Sequence, residues 1–306
     1  MSLLPSDSIP TELWENNILS LPSDLIQAYQ SNLTRLGLLT SAQNGPEEGK
    51  IYGGGSVDET HNHFAHRFGV SAGRPEFLIL DPKYEFENVS EEIQLSFLDG
   101  KIALLDIPCG CGAATCSLLS TIAKLRENNV VAKLPLEIIV TGGDYSKEAL
   151  DIFDKLMGEI QPSLNNVGIT LKWNCCIWDV RQTVETTRMI DSWFMNSSGA
   201  DEYFVVICNF SGDGSKAGLI QSVSVAVENI LARLHDRKST LVWIEPKSLS
   251  ALTFFKKIIG WFSRIYWFTP DIKSGTPFLI AEYEMKHPVH HAVHPSTLLV
   301  QRYHRK

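Results

Sequence analysis

The sequence lacks any apolar run approaching the roughly 20 residues that a membrane span needs. The first residues, Met1–Asp7, also lack the basic stretch and following apolar stretch of a secretory signal peptide. Internal repeats and low-complexity tracts are absent too. We therefore expect a globular protein of the cytoplasm that has no membrane partner.

Cysteine is scarce, and its spacing does not suit a metal. The 306 residues include six cysteines, and no pair of C-x-x-C elements occurs among them. Cys109, Cys111 and Cys116 lie close enough to raise the alternative of a cluster site. They also lie beside apolar runs, where small buried residues are common. The sequence predicts no metal site.

Positive charge is scarce in the first third of the chain. Residues 1–100 contain 5 Lys and Arg against 15 Asp and Glu, whereas residues 101–306 contain 22 against 20. Binding to duplex nucleic acid depends on neutralising phosphates, so an acidic surface disfavours it. Nucleic acid is therefore not an expected partner. The charge count does not exclude a small basic pocket.

From Lys101 onward, strand-like runs alternate with helical segments. The run Ile102–Ile107 is continuously apolar, as expected of a strand buried on both faces. Repeated β/α units with right-handed crossovers give a doubly wound α/β fold. The last two strands have no helix between them, so we predict a seven-stranded, mostly parallel sheet that ends in an antiparallel hairpin. The predicted strands are Ile102–Ile107, Glu137–Thr141, Ile169–Ile177, Tyr203–Cys208, Thr240–Ile244, Phe278–Met285 and Thr297–Tyr303.

The first hundred residues follow another pattern. Residues 11–39 look helical with a break at Pro22, and the polar, glycine-rich stretch Thr40–Gly55 is typical of a loop. Residues 56–100 are mixed and contain one clear apolar run, Phe77–Leu80. We predict a helical and loop-like cap over residues 1–100, with residues 40–74 as a lid, and a second domain over residues 101–306.

The strongest motif closes the first predicted strand, in Leu104–Gly112. Asp106 ends the strand, and Gly110 and Gly112 follow in a tight turn that lets a ligand approach the backbone. A glycine-rich turn alone is weak evidence. The arrangement resembles the class I, Rossmann-like methyltransferases that use S-adenosylmethionine (SAM), with Pro108 in place of their first glycine. The resemblance covers residues 101–306 and implies that the turn lies against the methionine part of SAM.

Further positions match that family at the ends of successive strands. The resemblance implies that Asp144, followed by Tyr145, accepts hydrogen bonds from the ribose hydroxyls of SAM. It places Asp179 at the adenine amino group with Trp178 or Val180 on the ring, and Asn209 where the methyl group is transferred. Each position has an alternative role, because Asp often caps a helix and Asn is common in turns.

A histidine-rich segment, Thr60–Arg67, is the source of candidate catalytic residues. His63 and His66 are predicted as candidate bases, since imidazole titrates near neutral pH. Arg67 is expected near the SAM carboxylate, and Arg74 is a second residue able to clamp a carboxylate. The alternative is a solvated or structural loop without a catalytic role.

The expected function is SAM-dependent methyl transfer to a small-molecule or protein acceptor that the sequence does not identify. One alternative is an RNA 2′-O-methyltransferase with a Lys–Asp–Lys–Glu set. Lys247 and Glu282 suit it, but Asn209 occupies the aspartate position and the first lysine has no match. The other alternative is a non-catalytic interaction protein, which the retention of Asp106, Asp144 and Asp179 disfavours.

Overall fold

A computed structural model describes residues 4–45, 55–86, 88–210, 219–262, 268–270 and 278–305. Apart from a short 3₁₀ turn at Ser6–Ser8, the elements there are helices and strands. The helices are α1 (Ser23–Arg35), α2 (Leu39–Asn44), α3 (Val57–Leu80), α4 (Val89–Ser96), α5 (Ala113–Glu127), α6 (Lys147–Asn166), α7 (Thr183–Asn196), α8 (Leu219–Arg233) and α9 (Leu249–Phe262). The strands are β1 (Trp14–Glu15), β2 (Ile18–Leu19), β3 (Gly100–Asp106), β4 (Leu136–Asp144), β5 (Ile169–Ile177), β6 (Glu202–Cys208), β7 (Ser239–Glu245), β8 (Phe268–Pro270), β9 (Leu279–Lys286) and β10 (Val293–Arg305).

The strands form one mixed sheet in the order β1-β2-β9-β10-β7-β6-β3-β4-β5, with β8 also pairing with β10. The five strands from β7 to β5 are parallel to one another. Strand β10 pairs antiparallel with both β7 and β9. The predicted α/β class, parallel core and antiparallel terminal hairpin are therefore confirmed. The count of seven is not, because three short strands (β1, β2 and β8) join the sheet.

Hydrophobic residues cover both faces of the sheet. In β3, Ile102 and Leu104 belong to the core under α1, α3, α5 and α6, whereas Ala103 and Leu105 belong to the core under α7, α8 and α9. Successive strand residues point to opposite faces, so a continuous apolar run is needed when helices pack on both sides. This is the physical basis of the apolar runs in the sequence.

The first hundred residues join the same sheet. Strand β2 pairs in parallel with β9, and β1 and β2 form a hairpin where the sequence predicted helix. The helical prediction over residues 11–39 was therefore wrong before Pro22, which directly precedes α1. Within the described ranges, no helix combines the length and apolar character that a membrane span needs.

Helix α3 replaces much of the predicted lid. Its 24 residues run from Val57 to Leu80, within the region that the sequence predicted as mixed and partly as a lid up to residue 74. Residues 46–54 of the predicted lid lie outside the described residues. Gly69 and Gly73 obscured the helix, but each has a packing role. A Cβ at Gly69 would lie 2.8 Å from Pro288, and one at Gly73 would lie 2.9 Å from the sulfur of Met285.

Candidate functional site

A cavity of about 530 Å³ opens at the carboxyl ends of the parallel strands. Strand β3 has β4 on one side and β6 on the other, so the strand order reverses between β3 and β6. In open α/β sheets, ligands bind in the crevice at such a switch point. The volume lies within the ~300–1,000 Å³ that is usual for small-molecule sites. Among the predicted site residues, the cavity is lined by His63, Pro108, Gly110, Asp144, Tyr145, Trp178, Asp179 and Asn209.

The turn after β3 needs both of its glycines. Gly110 and Gly112 have φ of +51° and +86°, a left-handed conformation that glycine adopts without steric cost. A Cβ at Gly112 would also lie 2.1 Å from the Phe153 ring, whereas one at Gly110 would meet nothing within 4 Å. Gly110 lines the cavity, and Gly112 packs against α6 behind it. Helix α5 begins directly after Gly112.

Asp144 ties the ends of two strands together. Its carboxylate accepts hydrogen bonds from the backbone N–H of Gly110 and from that of Ser146, each at 2.9 Å. The side chain is buried yet lines the cavity. A carboxylate has about four lone-pair sites, so an oxygen that accepts one N–H can still accept a ligand hydroxyl. The position therefore fits the ribose role that the sequence predicted.

Asp106 does not line the cavity. It is fully buried, and its Oδ2 accepts a hydrogen bond from the Thr115 hydroxyl at 2.7 Å. Its Oδ1 has no hydrogen-bond partner among the described residues. Burial raises its pKa to about 7; the hydrogen bonds to Thr115 oppose this rise, and the charge of Asp144 adds to it. Asp106 thus lies behind the turn that it was predicted to orient.

The end of β5 contributes Trp178 and Asp179. Trp178 is buried, and its indole N–H donates to the Thr186 hydroxyl at 2.9 Å. Arg181 donates hydrogen bonds to both carboxylate oxygens of Asp179, from Nε to Oδ1 at 2.8 Å and from Nη2 to Oδ2 at 2.6 Å. These hydrogen bonds hold the pKa of Asp179 below its ordinary value. The predicted contact of Asp179 with an adenine amino group must therefore compete with Arg181, which also lines the cavity.

The end of β6 contributes Asn209, whose φ of +58° is left-handed. Its Oδ1 accepts a hydrogen bond from Nη1 of Arg74 at 2.5 Å. Nε of Arg74 donates to the carbonyl of Thr297 at 3.1 Å. Arg74 therefore joins α3, the end of β6 and the terminal hairpin, and it fixes which atom of the Asn209 amide is the oxygen.

Helix α3 forms one wall of the cavity. Thr60, Phe64, Phe68 and Ser71 line it, and their spacing places them along one face of the helix. The start of α3 is held to the start of α6, since Thr60 Oγ1 lies 3.1 Å from the Ser146 hydroxyl. The sequence analysis placed residues 40–74 at the site as a lid, but it missed the helix and these four lining residues, although helical spacing is the signal that points to them.

Besides Asp106 and Gly112, two further predicted site residues, His66 and Arg67, do not line the cavity. Nε2 of His66 lies 3.2 Å from the Ser41 hydroxyl, and Arg67 is exposed. His66 comes two residues after Phe64, which is about 200° around the helix, so it lies on the side away from Phe64 and Phe68. The expected positions of Arg67 at the cofactor carboxylate and of His66 at the acceptor therefore stay predictions that the cavity lining does not support.

The pair considered for RNA methylation comes together outside the cavity lining. Nζ of Lys247 lies 2.5 Å from Oε1 of Glu282, and the Lys247 N–H donates to the Thr297 hydroxyl at 3.1 Å. The carbonyl of Thr297 also accepts from Arg74, so Lys247 and Arg74 both bond to Thr297, and each has a further partner, Glu282 and Asn209 respectively. In the described ranges, no group of three or more His, Cys, Asp or Glu side chains is arranged to hold a metal.

No family model matches the chain, and no curated protein matches it. A similar solved structure comes from work on the "Conversion of a Disulfide Bond into a Thioacetal Group during Echinomycin Biosynthesis". The two chains are 11% identical with a TM-score of 0.36, over 70% of this chain and 78% of the other. A likeness at this level is no basis for assigning a function.

Proposed function

We propose that this protein is a SAM-dependent methyltransferase acting on a small-molecule or protein acceptor. The observation that carries the proposal is the Asp144 carboxylate, which two backbone N–H groups hold at the rim of a switch-point cavity. A carboxylate fixed by backbone donors is already oriented, so it can accept sugar hydroxyls without further ordering.

The cofactor would lie along the ends of β3, β4 and β5. Asp144 would hold the ribose, and Trp178 would flank the adenine beside the ion pair of Asp179 and Arg181. Pro108 and Gly110 would face the methionine part, as the family resemblance implies. This places the reacting end next to β6, which adjoins β3 in the sheet.

When bound, SAM supplies a methyl group activated by an adjacent sulfonium. The chain then has to align the acceptor and exclude water. His63, on the α3 wall, can take the proton that the acceptor loses, at one of its ring nitrogens. Asn209 lies opposite α3 and can orient the acceptor by a hydrogen bond.

Calorimetry with S-adenosylhomocysteine (SAH) and with NAD tests the proposal. We expect wild type to bind SAH and not NAD. Asp144→Asn should weaken SAH binding by about 2–3 kcal/mol, or roughly 30–150-fold, because a charge-assisted pair of hydrogen bonds is lost. Asp151→Asn is the matched control, since Asp151 is exposed and pairs with Lys147 on α6.

Because Asp144 also holds Gly110 and Ser146, the melting temperature of each unliganded variant must be measured as well. Loss of SAH affinity in a folded Asp144→Asn protein supports the proposal. Equal SAH affinity in both variants and in wild type would remove Asp144 from the site, and no SAH binding by wild type would overturn the proposal.

RNA 2′-O-methylation is a second candidate, favoured by the contact of Lys247 with Glu282 beside Arg74 and Asn209. A short RNA should then bind with an affinity that falls steeply with salt, since phosphate contacts release counterions. Binding that is weak and independent of salt would leave the small-molecule or protein acceptor.

A further inference from the structure

One end of the cavity has no part in the proposed cofactor contacts. It lies between α3 and the end of β6, and we call it the acceptor pocket. Its residues are His63, Phe68, Ser71, Cys208, Asn209 and Phe210. We infer that the acceptor pocket binds a small, uncharged, largely apolar methyl acceptor, an inference that rests on the proposed function.

The size of the cavity limits the acceptor. Its 530 Å³ lies in the lower half of the ~300–1,000 Å³ range of small-molecule sites, and the cofactor would fill part of it. The position of the Phe68 ring is fixed by Tyr29, which stacks on it with ring centroids 4.7 Å apart. Phe210 is also buried, and its ring packs beside that of Trp178, with the two ring centroids 6.5 Å apart. The walls therefore suit a compact apolar body.

The charges of the described pocket residues disfavour an anionic acceptor. None of the six pocket residues is Lys or Arg. Two arginines at or beside the cavity already bind protein groups, Arg181 through Asp179 and Arg74 through Asn209. Moving a carboxylate or phosphate from water into such a pocket costs free energy, and among the six residues only a protonated His63 would offset it.

The surroundings of Cys208 also disfavour an anionic acceptor. Burial raises the pKa of the Cys208 thiol well above its ordinary value, and the carboxylates of Glu245 and Asp106 raise it further, against a lowering by Arg74. The surroundings are thus poorly solvated and disfavour added negative charge. They do not favour a cation either, because none of the six pocket residues is Asp or Glu.

The remaining polar contacts come from uncharged groups. Asn209 and Ser71 offer an amide and a hydroxyl, and Arg74 fixes the amide oxygen of Asn209 on its own side. These groups suit one hydroxyl, amine or thiol on an otherwise apolar molecule. A hydrogen bond of this kind orients the reacting atom without requiring a charge.

Three probes with the same ring system test the inference: 2-naphthol, 2-naphthoate and 2-naphthylmethylammonium, which are neutral, anionic and cationic at pH 7. Each is titrated into wild-type protein with and without saturating SAH, by calorimetry. We expect the Kd of 2-naphthol to be about tenfold or more below that of either ion, because burying an unpaired charge is costly. A preference for either ion, equal affinities or no binding of any probe would overturn the inference.

The variant Ser71→Asp locates the site, with Ser198→Asp, at an exposed position, as the matched control. Ser71→Asp should weaken 2-naphthol binding about tenfold, while the control stays at the wild-type value. An unchanged Kd in folded Ser71→Asp protein would place the naphthol elsewhere and overturn the inference. Because SAH is titrated separately, failure of SAH to bind overturns the proposed function, whereas the probe preference tests the pocket by itself.

Discussion

The two ends of the cavity are held in different ways. At the cofactor end, backbone N–H groups and a left-handed turn position Asp144 and Gly110 through contacts between adjacent strands. At the acceptor end, one side-chain contact, from Arg74 to Asn209, joins residues that are 135 positions apart in the chain. Backbone contacts in a sheet are shared by many residues, whereas a side-chain contact depends on one.

The difference suggests a division of roles. The cofactor end leaves little freedom for substitution, because Gly112 has no room for a Cβ and the N–H groups of Gly110 and Ser146 already bond to Asp144. An acceptor end built from side chains on α3 and β6 can change its shape through single substitutions. Substitutions at the two ends should therefore differ in whether they affect folding or ligand preference.

Gly112→Ala should have the largest effect on stability, since Gly112 lies in the tightly packed turn at the cofactor end. The new Cβ would collide with Phe153 at 2.1 Å and would force a left-handed φ on alanine. Overpacking and the left-handed conformation together should cost about 3–5 kcal/mol of unfolding free energy. Gly110→Ala meets no atom within 4 Å and should lose only about 1–2 kcal/mol. Urea denaturation measures both, and equal losses would contradict the packing role of Gly112.

Asp106→Asn tests the buried carboxyl behind the same end. Burial raises the folded-state pKa of Asp106 from 3.8 to about 7, so the native state keeps its proton while the unfolded state loses it. The contribution of Asp106 to stability is thus full below pH 3.8 and is lost as the pH rises toward 7. The stability of the Asn variant relative to wild type should rise by on the order of 1 kcal/mol per pH unit from pH 5 to 7.

Urea unfolding of Asp106→Asn and wild type at pH 5, 6, 7 and 8 measures this difference. The difference should level off above about pH 7, where both states of wild type are ionised. A difference that is flat from pH 5 to 7 would show that the buried carboxyl keeps its ordinary titration.

Arg74→Gln probes the side-chain end. It removes the charged donor to Asn209 and to the Thr297 carbonyl, which should cost about 1.5–3 kcal/mol of stability. Binding of 2-naphthol should weaken severalfold while SAH binding changes little, since Arg74 lies outside the proposed cofactor contacts. Arg67→Gln, two turns earlier on α3 and exposed, should stay within about 0.5 kcal/mol of wild type. Equal losses of SAH and 2-naphthol affinity would contradict separate roles for the cofactor end and the acceptor end of the cavity.

Thr60→Val should have the smallest effect on stability. Valine keeps the shape of the threonine side chain and removes only the hydroxyl that links the starts of α3 and α6. That hydroxyl lies 3.1 Å from the Ser146 hydroxyl and 2.9 Å from the Ser56 carbonyl. A stability loss of about 1 kcal/mol is expected in thermal unfolding. Thr34→Val, whose hydroxyl bonds only within α1 among the described contacts, should lose less. A larger loss in Thr34→Val would show that the link between α3 and α6 is unimportant.

The strand ends were predictable because their signals are local. A continuous apolar run needs burial on both faces, and a carboxylate or glycine just after it marks the edge of a parallel sheet. Asp144 and Asn209 both line the cavity as that logic expects. Helix α3 has apolar residues at helical spacing, but Gly69 and Gly73 give an opposing loop signal. Their purpose is visible only against Pro288 and Met285.

The sequence by itself determined the α/β class, the parallel core and the closing hairpin, because periodic burial and turn conformations depend on a few neighbouring residues. The tertiary structure alone decided that Asp106 is buried away from the cavity and that Arg67 faces outward. It also decided that Arg74 bonds to Asn209. Such pairings depend on where several distant segments come to lie, and local sequence energies do not specify that position.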